Sequence, residues 1–227
     1  MRKPKKKPIS LVQMILTLLA VVCLLISNVI TAKQVLLPFN ITMTGAVVIF
    51  PITYILSDLF SEVYGYKWSR LVCYLSFLAN LLMVIVFSLV IITPSPEYWT
   101  NQEAFMTVLG STPRVLIASF LAFIIGGLVD DLVFKKLKDK HPNDMKGFGF
   151  RAILSSLFGE LVDSLIFLPI AFLDQMPLET LAVMTVLQVL IKTGYEIIIL
   201  PVTRIAVKKT LEYEKRNELN KYKELAR

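Results

Sequence analysis

The sequence predicts an all-α membrane protein, a six-transmembrane-helix bundle with its N and C termini in the cytoplasm. Two observations carry that prediction: the spacing of long apolar runs, and the one-sided placement of lysine and arginine. Of 227 residues, 56% are hydrophobic and only 18% are charged, where a soluble domain carries roughly a quarter charged residues. Mean hydropathy is +0.67. A hydrocarbon core ~30 Å thick is crossed by about 20 apolar residues wound as a helix. Six stretches meet that need: Leu11–Thr31, Thr44–Phe60, Leu71–Thr93, Val115–Phe134, Ala152–Leu173 and Leu181–Thr203. They leave no room for a soluble catalytic domain.

A basic tail, residues 1–10, precedes the first span. That span exceeds the ~7–15 apolar residues of a signal peptide, and no small-residue cleavage site follows it, so it reads as a retained helix. The second span is short by itself, and Pro38–Thr42 is apolar enough to extend it outward. After the third span the loop Pro94–Thr112 brings Pro94, Pro96, Tyr98 and Trp99, which suit an interfacial belt. Gly126 and Gly127 thin the fourth span, and the lysine-rich loop Lys135–Lys146 follows. Pro51, Pro169 and Pro201 interrupt the backbone ladder of the second, fifth and sixth spans. They read as kinks and close packing, or as carbonyls freed to line a cavity. Beyond Thr203 no apolar run remains: Glu212, Glu214, Lys215, Arg216, Glu218 and Lys221 alternate in sign, as in a solvated helix. The organisation is therefore a tail (1–10), a transmembrane domain (11–207) and a charged cytoplasmic helix (208–227).

Orientation follows from the cations. Of 24 Lys and Arg, 5 lie in the tail, 2 are Lys67 and Arg70, 6 lie from Lys135 to Arg151 and 8 from Arg204 to Arg227, which places 21 on one side. Lys33 lies on the other, Arg114 at its edge, and Lys192 inside the sixth span. The net charge of +7 is thus a topology signal first. Contact with anionic membrane lipids comes second, and no motif supports nucleic-acid binding. Cys23 and Cys73 sit in different spans and read as small apolar residues, with neither a disulfide framework nor metal-ligand spacing.

Ionised groups in hydrocarbon are expensive and normally face a bundle interior or a wet cavity. Asp58 and Glu62 share one helix face; Glu160 and Asp163 share a face of the fifth span; Lys192 and Glu196 share a face of the sixth. Asn28 adds an amide to the first span, Arg114 opens the fourth, and Asp130 and Asp131 end it. Asp163 lies roughly 17 Å in from the cytoplasmic end of its span and Lys192 roughly 17 Å in from the outer end of its own, both near mid-bilayer. Plainer roles exist for several of these groups. Lys192 and Glu196 can neutralise each other at i, i+4, Asp130 and Asp131 can sit among headgroups, Glu62 can belong to a turn around Gly65, and Arg114 can reach outer phosphates. Asp163 has no cation within one helical turn, so a functional role suits it best.

Enzymatic constellations are missing. The single histidine, His141, rules out an HExxH metalloprotease, and neither GxSxG nor a Walker A sequence occurs. Solute transport is the better expectation, with no cofactor or metal. A membrane scaffold would not need so many buried charges.

Ser27-Asn28, Gly45, Pro51, the run SDLFSEVYG at 57–65 and Arg70 resemble the signature of the queuosine precursor transporter family, also called the vitamin uptake transporter family. Arg114, Ser119, Gly126 and Asp130 are similar to its fourth-helix pattern, and Arg151, Ser155, Gly159, Asp163-Ser164 and Phe167 to its fifth. Lys192, Tyr195-Glu196 and Pro201 are similar to its sixth. The resemblance implies import of 7-deazaguanine bases or queuine for tRNA queuosine salvage. It also implies a six-helix fold like the substrate-binding subunits of energy-coupling-factor transporters. Those subunits use a partner ATPase, which this family is thought able to do without. A subunit binding another vitamin-like solute for such a partner is the alternative. For a guanine-like ligand, Glu160 or Asp163 would accept from the ring edge. Lys192, Asn28 or Arg114 would donate to its carbonyl, and Asp58 or Glu196 would hold an exocyclic ammonium. Small residues suit a homodimer as well as packing within one bundle.

Overall fold

The computed structural model describes residues 9–38, 41–140 and 148–225. Most of the basic tail, Phe39 and Asn40, and residues 141–147 with His141 lie outside these residues, as do the side chains of Asp131 and Arg151. The chain is helical almost throughout: α1 (Leu11–Ile30), α2 (Phe50–Leu59), α3 (Tyr66–Ile92), α4 (Gln102–Leu109), α5 (Thr112–Lys140), α6 (Phe148–Phe172) and α7 (Leu178–Leu225). Among the described residues, five helical segments are long and apolar enough to cross a bilayer: Leu11–Ile30, Lys67–Ile92, Gln102–Asp130, Leu154–Phe172 and Leu178–Arg216.

Three helix boundaries follow directly from the sequence. Ser10 caps α1, its hydroxyl accepting from the Gln13 backbone N–H at 3.0 Å, which satisfies one of the orphan donors of the first turn. Pro51 sits in the first turn of α2, where its missing donor costs nothing. Gly65, at φ 84°, supplies the left-handed backbone between α2's wide final turn and α3.

The expected second span differs in its detail from one uniform helix. Pro38 and Ile41–Thr42 belong to a short antiparallel hairpin, β1 (Gln34–Leu37) on β2 (Ile41–Thr44), with Gln34 opposite Thr44 and Leu37 opposite Ile41. Helical backbone then runs from Gly45 to Tyr64 in three pitches: a tight 3₁₀ turn (Gly45–Val48), α2, and a wide π turn (Phe60–Tyr64). The π turn widens the ladder to i→i+5, a geometry concentrated at functional sites.

The hairpin caps one end of the bundle. Met43 and Val47 are buried against Ala118 of α5, Leu168, Ala171 and Phe172 of α6, and Leu181 and Met184 of α7. The most intimate helix pair is α5 with α6. A Cβ on Gly126 would stand 2.9 Å from the Gly159 carbonyl oxygen, and one on Gly159 would stand 2.9 Å from Asp130 Cβ, so the two backbones touch only because both residues lack side chains. At the other end Glu214, on the long extension of α7, accepts hydrogen bonds from the Ser10 and Tyr64 hydroxyls, the latter at 2.8 Å.

The partition of side chains is the reverse of a soluble protein's. Leu75, Leu78, Leu82, Ile85 and Leu89 of α3 face outward, while Asn28, Asn80, Ser164, Gln188 and Lys192 are buried. Apolar outside and polar inside is the arrangement a bilayer selects; this is a multi-pass membrane protein.

Candidate functional site

The buried polar groups enclose a cavity of about 480 Å³ between α1, α2, α3, α5, α6 and α7, within the ~300–1,000 Å³ of small-molecule sites. Its wall alternates polar and apolar groups: Ser27, Asn28 and Thr31 from α1, Arg70, Ser76 and Asn80 from α3, Ser119, Phe123 and Asp130 from α5, Asp163 and Phe167 from α6, and Gln188 and Lys192 from α7. Thr44 and Ala46 close it beside the hairpin.

An ion pair dominates this wall. Lys192 Nζ lies 2.7 Å from Asp163 Oδ2, joining α7 to α6, with side-chain exposures of 11% and 28%. Away from bulk water such a charge-assisted bond is strong, and its carboxylate and ammonium keep further acceptor and donor directions. Asn28 Nδ2 donates to Asn80 Oδ1 at 2.7 Å, tying α1 to α3. Among the described residues, three acceptors in the same wall have no partner: Asn28 Oδ1, Asp130 Oδ1 and Gln188 Oε1. Arg70 carries positive charge into the wall and stacks 5.8 Å from the Phe123 ring centroid.

Of the eight residues singled out from the sequence, three line the cavity and five stand elsewhere. Asn28, Asp163 and Lys192 come together on the cavity wall. Glu160 and Glu196 stand beside it in the α6–α7 contact, where Glu160 accepts from Thr193 Oγ1 at 3.2 Å and Glu196 from Ser156 Oγ at 3.4 Å. Lys192 therefore bonds across to Asp163, the partner that no reading of one helix supplies. Asp58, half-buried on α2, is within electrostatic reach of Glu196. Glu62 is exposed on the π turn. Arg114 donates to the Ile170 carbonyl and lies 3.5 Å from Asp174, bracing the α6–α7 turn.

Sequence reasoning passed over Asn80 and Gln188. The signal was present, since each is a lone amide inside an apolar run (LSFLANLLMV and VMTVLQVLIK), and an amide in hydrocarbon is costly unless bonded.

Comparison with known proteins is consistent with this architecture. The family model described as "Putative vitamin uptake transporter" matches residues 44–206. A Bacillus subtilis protein named "Probable queuosine precursor transporter" is 29% identical over 179 residues, covering 79% of this chain and 77% of that relative. A Haemophilus influenzae protein of the same name is 27% identical over 138 residues, covering 59% and 54% respectively. No solved structure matches the chain. The family match begins at the end of the hairpin, spans every cavity-lining helix except α1, and ends just past Pro201; the chain belongs to the vitamin uptake transporter family.

Proposed function

We propose that this protein imports queuosine precursors, the 7-deazaguanine bases or queuine, across the cell membrane for salvage into tRNA. The observation that carries the reading is the Asp163–Lys192 pair on the wall of a 480 Å³ cavity inside an apolar-surfaced bundle. A guanine-type ring presents two N–H donors next to a carbonyl acceptor. Asp163 accepts from the N–H groups while Lys192 donates to the carbonyl, so the pair matches that edge in both signs. Asn28 supplements the donors and acceptors of the wall. An exocyclic ammonium, as in an aminomethyl base, goes to one of the remaining carboxylates, Asp58 or Glu196, with Glu160 beside them. Glu62 and Arg114 serve the two ends of the path. The names of the two relatives support the same substrate class.

In this reading the chain crosses the bilayer six times. The helical backbone of Gly45–Tyr64 forms the second span: its twenty residues reach ~30 Å, and the 3₁₀ and π turns at its ends adjust its length. Both termini lie in the cytoplasm, because most of the cations cluster at that end. The bundle then resembles the substrate-binding subunits of energy-coupling-factor transporters, acting alone or with a coupling partner, as a monomer or a homodimer.

Restoration of queuosine in tRNA tests the function. The chain is expressed in a bacterium that neither makes nor imports the precursors, each base is fed at nanomolar level, and the tRNA is assayed. Restoration by one base supports import and names the substrate. Failure with every base, in cells where membrane insertion has been verified, refutes unassisted import, and repeating the assay with an ATPase partner tests the assisted form.

A further inference from the structure

Gln188 is 1% exposed, lies on the cavity wall, and leaves its carbonyl oxygen without a partner among the described residues. Burying an unmatched acceptor costs stability that a leucine or methionine of similar volume would not. A ligand that donates to it removes the cost. Gln188 precedes Lys192 by four residues on α7, so both project from one helix face, about 6 Å apart along the axis. Asp163 reaches the same face from α6 through its bond to Lys192. Around this point the wall offers a neutral acceptor, an anionic acceptor and a cationic donor.

We propose that Gln188 is a specificity-determining residue, whose side-chain carbonyl accepts a hydrogen bond from the exocyclic amino group of a 2-aminopyrimidin-4-one ring. Such a ring presents amino donor, ring N–H donor and carbonyl acceptor in series along one edge. Gln188, Asp163 and Lys192 complement that series term by term. A ring lacking the amino group leaves Gln188 unmatched. An adenine-type ring, with an acceptor at the ring nitrogen and an amino group in place of the carbonyl, faces Asp163 and Lys192 with the wrong sign at both positions. The inference rests on the transport reading above and deepens it: the amino group, and not ring shape alone, becomes the criterion of selection.

Calorimetric binding to the purified full-length protein in lipid nanodiscs tests this, with 7-cyano-7-deazaguanine and its analogue lacking the 2-amino group as probes. Wild type should prefer the amino-bearing base by about tenfold or more. Q188M should bind both bases alike, at the wild type's affinity for the analogue, whereas Q188E, which keeps an acceptor, should retain a preference. Equal binding of the two bases by wild type overturns the proposal, whatever the variants do. So does a wild-type preference in a folded Q188M. Wild type that binds neither base, and neither the aminomethyl base nor queuine, overturns the transport reading itself, a result distinct from the other two.

Discussion

Asp163 and Lys192 each sit where hydrocarbon would surround them, and each is tolerable because of the other. Removing one partner of a buried ion pair costs ~3–5 kcal/mol. With 28% of the Asp163 side chain exposed, about 2–3 kcal/mol is the discounted expectation for K192M or D163N. The double variant should recover most of the lost thermal stability, measured by melting in detergent, while uptake stays abolished in all three. A double variant no more stable than the singles would show that the pair does not set stability. The two charges are legible in the sequence because a lone carboxylate or ammonium stands out in an apolar run. Their partnership is not, since 29 residues separate them and a single helix offers Lys192 only Glu196. Asn80 and Gln188 stood out less because neutral amides are common as packing groups; only their burial on the cavity wall, Asn80 bonded to Asn28, distinguishes them.

Between elements, the crossing of α5 and α6 sets where Asp163 points. A methyl group on Gly126 would approach the Gly159 carbonyl to 2.9 Å and Asp163 Cβ to 3.1 Å. G126A should therefore push the helices apart, destabilise by about 1–3 kcal/mol and reduce uptake, because it displaces the carboxylate proposed to meet the ligand. Gly194 has nothing within 4 Å of where its Cβ would stand; G194A should be neutral or stabilising by ~0.4–1 kcal/mol. If both variants melt and transport alike, close approach is not what the Gly126 position requires. At the far end, E214A removes the acceptor shared by Ser10 and Tyr64 and should lower the melting temperature with little change in ligand affinity. Long helices were readable because twenty apolar residues in a row admit few alternatives. The hairpin and the three-pitch run after it were not, because Pro38, Gly45 and Pro51 are equally compatible with kinks in a longer helix.

For the molecule as a whole, the class was evident in composition and the intramembrane charges suggested a polar cavity; its full lining was not legible, because six helices contribute to it and no local pattern shows which faces converge. If it carries a cationic base inward, the membrane potential contributes ~2.3 kcal/mol per 100 mV for each unit charge, a bias of roughly fiftyfold. Dissipating the potential with an ionophore should slow uptake of an aminomethyl base far more than that of a neutral cyano base. Equal slowing would point to coupling through a proton instead.

The length of α7 has a practical consequence. Its 48 residues extend ~72 Å at 1.5 Å each, more than twice the ~30 Å thickness of hydrocarbon. Standing upright, the helix would leave roughly 40 Å of its length outside the acyl chains, and Glu214 fastens part of that excess to the start of α1 and to Tyr64. For a small protein otherwise hidden in a detergent belt, this rod is a natural fiducial. An antibody fragment raised against it would give single-particle images a feature with which to align them, without touching the cavity.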